Sequence, residues 1–145
     1  MPVTIEKTFR FDAGHRALGF RDRKEEALHG HTWVLRLVIE TADALGPEKT
    51  LLDTNHLARV VKPIVDGLDH SFIVWSEDPL ADRLAALCRE ADIEDRLVRV
   101  DFNPTIEGLC EHLFKTIKAR LGDAGAMLAR AELDATATLR ATYRE

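Results

Sequence analysis

A chain of 145 residues can bury one substantial hydrophobic core but not two. Hydrophobic residues make up 46% and charged residues 31%, with a net charge of −5 and no basic cluster, which fits a soluble globular protein and excludes a nucleic-acid footprint. No apolar run approaches the roughly 20 residues of a membrane span. Cys88 and Cys110 share no CxxC spacing, so they are expected as reduced, buried, small apolar residues of a cytoplasmic protein.

Residues 3–12, VTIEKTFRFD, alternate: Val3, Ile5, Phe9 and Phe11 on one side, Thr4, Glu6, Thr8 and Arg10 on the other. This predicts a half-buried strand at the start of mature sequence rather than a signal peptide. Residues 16–28, RALGFRDRKEEAL, are charged and aperiodic, and a loop of that length in a small domain points to function. A second strand is predicted from His31 to Thr41, with Trp33, Leu35, Leu37 and Ile39 on one face, before DALGPEKT turns the chain. Leu57, Val60, Val61, Ile64, Val65 and Leu68 then recur at helical spacing, with Asp53 or Thr54 as cap and Pro63 expected to kink or split the helix. Residues 79–90 suggest a short helix with Leu80, Leu84, Leu87 and Cys88 inward, and RLVRVDF a short strand. NPTIEGLCEHLFKTIKARLGD is the strongest helix, with Gly122 at its stop. Met127 to Tyr143 alternate again, as a bent strand or tight hairpin. Strands joined without crossover helices imply an α+β class: one domain over 1–145, an antiparallel sheet with helices on one face.

His29 and His31 lie one residue apart at the mouth of the second strand, on the face that continues as Trp33. His15 ends the first strand on the parity of Phe9 and Phe11. If the two strands pair antiparallel, all three imidazoles meet. Three nitrogen donors with an open fourth position are what a catalytic Zn²⁺ requires, whereas structural zinc sites close all four and lean on cysteine. Spacing alone leaves open that these are polar rings fraying into solvent.

FDAGH, HGH, LDH and NPTIE, in this order, resemble the 6-pyruvoyl-tetrahydropterin synthase and 6-carboxy-tetrahydropterin synthase family from about Val3 to Tyr143. The resemblance implies the T-fold: a four-stranded antiparallel sheet with two main helices on one face. Its subunits close edge to edge into a barrel, usually trimers stacked into a hexamer, with residues 76–102 an insertion. It further implies a zinc-dependent lyase acting on 7,8-dihydroneopterin triphosphate or a related pterin, with no nucleic acid or membrane partner. His15, His29 and His31 match the zinc ligands. Asp69 and His70 match a proton-shuttling pair, in which a carboxylate fixes the tautomer of a histidine. Thr105 and Glu107 match the helix start beside the pterin pocket, although both also suit a cap and a first turn.

Two departures bear on the chemistry. Usual members carry a cysteine base four residues before the first histidine of HGH, where this chain has Glu25. A branch of the family with glutamate there is thought to cleave the side chain in an aldolase-like way, giving 6-hydroxymethyl-dihydropterin. The second departure is Ala135, which an ungapped match places where a strand glutamate anchors the pterin. Glu132 replaces that anchor only with a shift of three residues and Asp134 with a shift of one, and a one-residue slip reverses the face. These departures motivate two alternatives: a non-pterin, purine-like substrate, or a metal-binding scaffold without catalysis.

Overall fold

A computed structural model describes residues 3–145. Strand β1 (Val3–His15) pairs antiparallel with β2 (His29–Thr41) along its whole length, with Phe11 opposite Trp33, Ala13 opposite His31 and His15 opposite His29. Helix α1 (Thr54–Leu68) follows, capped by Asp53, whose carboxylate accepts the Asn55 N–H. Strand β3 (Ser71–Trp75) runs parallel to the end of β1. Helix α2 (Ala81–Glu90) crosses over to β4 (Leu97–Val100), which lies parallel to β3, as parallel neighbours require. Helix α3 (Ile106–Leu121) then leads into the hairpin of β5 (Leu128–Thr136) and β6 (Leu139–Arg144).

The sheet order is β4-β3-β1-β2-β5-β6. The class is α+β as expected, but the sheet has six strands rather than four and is mixed rather than purely antiparallel. The two extra strands come from one unit, β3–α2–β4, that widens the sheet beyond β1. Helices α1 and α3 supply the apolar stripes Leu57, Val61, Val65 and Leu109, Leu113, Ile117, which close over Phe11, Trp33, Leu35 and Leu37 to form the core.

Three local expectations are corrected. Helix α1 runs through Pro63 without splitting. That residue is exposed, so the carbonyl it leaves unbonded can take water. Leu87 is 60% exposed rather than inward, because Ala81 alone is buried in α2. Cys88 is only half-buried, whereas Cys110 is buried as expected. Among the described residues no helix is long and apolar enough to cross a membrane.

Candidate active site

The β1–β2 register sets the three histidines around one point. Ring centroids of His15 and His29 are 4.6 Å apart, His29 and His31 4.9 Å, and His15 and His31 5.2 Å. Gly14 and Gly30 face each other between them, and the close approach needs both: a Cβ on Gly14 would lie 2.6 Å from the Phe72 ring and one on Gly30 3.0 Å from the Ala13 carbonyl. Trp33 underlies the cluster, edge-on to His15 and His31 at 5.0 Å, and donates its indole N–H to the Ala13 carbonyl.

The hydrogen bonds select the tautomers. His15 Nδ1 lies 2.8 Å from the Pro104 carbonyl, and His29 Nδ1 lies 2.8 Å from the Ala27 carbonyl. A carbonyl only accepts, so each Nδ1 carries the proton, and in the neutral ring the lone pair is then on Nε2. His15 Nε2 is buried without a partner, an arrangement that costs free energy unless something binds there. Metal-ligating histidines show this pattern, the far nitrogen donating to a carbonyl or carboxylate. Glu25 completes the group: among the described residues His15, Glu25, His29 and His31 offer ligand atoms within 4.8 Å of one another. Three neutral imidazoles and a carboxylate fit zinc.

Burial pushes the His15 pKa down to about 4, against the Pro104 carbonyl and with help from His29 and His31, and burial also lowers that of His31. Both rings are therefore neutral at pH 7, as ligands must be. In protein stripped by a chelator, the unfolded chain takes up a proton near pH 6.5 that folded His15 refuses until about pH 4. Stability is therefore full above pH 6.5 and declines below it. The expected loss between pH 7 and pH 5 is about 2 kcal/mol, read by urea denaturation.

The cluster opens into a cavity of about 330 Å³. Phe20, Trp33, Ile106, Ala135 and Leu139 give it apolar walls, and Asp22, Glu25, Thr105 and Glu107 give it polar groups. Asp22 and Phe20 were missed in the sequence, where the aperiodic 16–28 loop signalled function without singling out any side chain. Thr105 lines the cavity and also caps α3, its hydroxyl accepting the Gly108 N–H at 3.0 Å. Thr105→Ala is expected to cost about 1 kcal/mol and Thr105→Ser to restore most of it, as measured by thermal unfolding without ligand.

Glu132 is not brought to the cavity. Ala131, Leu133 and Ala135 hold the core-facing parity of β5, so Glu132 points through the opposite face. There Arg36, Arg130 and Arg140 lie 3.1, 3.0 and 3.0 Å from its carboxylate and outweigh burial to lower its pKa. Asp134 is likewise engaged with Arg140. Asp69 and His70 are paired at 3.0 Å and do not line the cavity; His70 lies on an open groove with Asp12, Gly14 and Thr32 that shares His31 with the cavity. The Asp12 backbone N–H, then His70, depress the Asp69 pKa. His70 adopts φ +59°, a left-handed conformation held by its N–H donating to the Asp12 carbonyl.

The fold and this histidine cluster define a class: an α+β domain with a candidate metal pocket at the ends of paired strands. Residues 4–145 match the family described as 6-pyruvoyl tetrahydropterin synthase, and the protein belongs to that family. It is 31% identical over 163 aligned residues to the 6-carboxy-5,6,7,8-tetrahydropterin synthase of Aquifex aeolicus (strain VF5), covering 100% of this chain and 99% of that one. A solved structure of an uncharacterized protein from Wolinella succinogenes superposes with a TM-score of 0.84 at 22% identity, covering 100% of this chain and 99% of that one. The 6-pyruvoyltetrahydropterin synthase of Plasmodium vivax, in a form whose catalytic glutamate is replaced by alanine, gives 0.73 at 15% identity, with 100% and 98% covered.

Proposed function

We propose that the protein is a zinc-dependent lyase of the tetrahydropterin synthase type, acting on 7,8-dihydroneopterin triphosphate or a closely related pterin. One observation carries this reading: the bare, buried Nε2 of His15 meets His29, His31 and Glu25 at the floor of an apolar-walled cavity. Zinc bound by the three histidines would supply Lewis acidity, polarising a C–O bond of the substrate and acidifying the neighbouring C–H.

The remaining steps fall to the protein's own groups. Phe20 and Leu139 offer apolar faces to a flat bicyclic ring and keep water from it. The β5 carboxylates face away, so Glu107, with Asp22 as the other free carboxylate of the lining, is an acceptor available to the N–H edge of the ring. Glu25 removes the proton from the side chain of the substrate. Asp69 accepts the His70 Nδ1–H and leaves the far nitrogen to move a second proton. This pair opens onto a groove that shares His31 with the cavity, so it reaches a substrate held at that histidine; the open β4 and β6 edges are in keeping with a homo-oligomer.

Glu25 in the base position favours side-chain cleavage to 6-hydroxymethyl-dihydropterin as a second outcome. Neither thiol competes: Cys110 is buried, its pKa pushed up to about 11 by that burial, and Cys88 lines a different hollow beside α2. The test is incubation of zinc-loaded protein with 7,8-dihydroneopterin triphosphate and mass detection of products. A 6-carboxy or 6-pyruvoyl product supports the first reading and 6-hydroxymethyl-dihydropterin the second. No product excludes turnover of that substrate. Binding without turnover favours the scaffold.

A further inference from the structure

We propose that Glu25 is a fourth, displaceable ligand of the cation, held in place by a clamp between Arg16 and Asp78; this rests on the zinc reading above. The carboxylate Oε2 lies 3.7 Å from His29 Nε2 and 4.0 Å from His15 Nε2, the two nitrogens whose lone pairs are free. Ligand atoms about 2.0 Å from a tetrahedral zinc lie roughly 3.3 Å from one another. The two contacts therefore need to close by about 0.4 and 0.7 Å.

The backbone around Glu25 is fastened more firmly than a solvated loop charge requires. The Ala17 N–H donates to the Glu25 carbonyl at 2.7 Å, and Arg16 Nη1 donates to the Glu26 carbonyl at 2.8 Å. The same guanidinium grips Asp78 with two bonds, Nε at 2.6 Å and Nη2 at 3.0 Å. Asp78 is 4% exposed, and one of its oxygens also accepts the Leu80 N–H before α2. Asn103 holds Leu18 through both its N–H and its carbonyl. Arg16 follows the ligand His15 directly, so one stretch of backbone sets both a histidine and the carboxylate. The segment after β3 thus has a task at the metal: Asp78 keeps Arg16 oriented, and Arg16 keeps residues 25 and 26 over the histidines.

The position Glu25 takes is the one a substrate oxygen needs. The free protein therefore holds its cation with four protein ligands, and entry of substrate releases the carboxylate beside the proton to be removed. Asp78 and Arg16 act through Glu25 and are positioning residues.

Zn²⁺ affinity by chelator competition and Co²⁺ absorption spectra, taken on the parent, Glu25→Gln, Asp78→Asn and the double variant, test this. Glu25→Gln is expected to weaken zinc binding by at least about tenfold and to alter the visible Co²⁺ bands. Asp78→Asn should shift both readouts in the same direction. The double variant should bind no more weakly than Glu25→Gln alone, because both act on one contact. Arg16→Lys keeps the charge but loses the fork, and takes the place of Asp78→Asn if circular dichroism shows that variant unfolded. Affinity within about threefold of the parent and an unchanged Co²⁺ spectrum for Glu25→Gln overturn the ligand assignment, well short of the tenfold expected. Additive losses in the double variant overturn the clamp. A parent that binds neither ion removes the metal reading itself, and this inference with it.

Discussion

His29→Ala protein is expected to fold as the parent does, to retain less than about a tenth of the parent's zinc after dialysis, and to lose measurable turnover. Partners outside the ligand shell already change affinity about 10–100-fold, and a direct ligand counts for more. His29 suits this test better than His15. Its side chain is 24% exposed, so removing it leaves no hole in the core. His15 is 2% exposed and bonded to Pro104, so its loss would mix a folding defect with the loss of metal. Metal analysis and thermal unfolding on the same preparation separate the two effects. Zinc retained in full by folded His29→Ala would mean that the cation, if bound, sits elsewhere, and the reading of this pocket would fall.

The part of the site that was legible in the sequence is the part that depends on period two. Alternation through Phe9 and Phe11 carries His15 to the face shared by His29, His31 and Trp33, and the observed pairing of His15 with His29 follows from it. Strand β3 escaped because SFIVW has no such period: Ile73 and Val74 are both fully buried, as in a strand covered on two sides. Its β4 partner lies far off in sequence, and only the crossover through α2 reveals it. The Glu132 candidate failed for a related reason. Ala131, Leu133 and Ala135 already marked the inward parity, and a shift of odd length, which is what either β5 carboxylate needs, changes the face. Asp78 gave no signal at all, since its partner Arg16 is 62 residues away and a single acidic residue in a turn names no partner.

Glu25→Gln, assayed with zinc in excess so that the site stays loaded, is expected to lower kcat by about 10²–10⁴-fold while KM changes little, the range for losing a positioned general base. Glutamine keeps the length of the side chain but loses both the capacity to take a proton at the working pH and the anionic ligand oxygen, and the excess of zinc offsets the second loss. No neighbour is placed to substitute. Asp22 and Glu107 line the cavity but lie outside the cluster of Glu25 with the three histidines, and Cys110 is engaged with the Ala131 carbonyl beneath the sheet. Glu25→Asp retracts the carboxylate by one methylene and should recover part of the rate, which a purely structural role would not predict. Loss of kcat at saturating zinc separates proton transfer from metal retention, since occupancy is then equal in both proteins. A Glu25→Gln enzyme that turns over at nearly the parent's rate with its metal bound would remove Glu25 as the base and leave the exposed His70 as the group to examine.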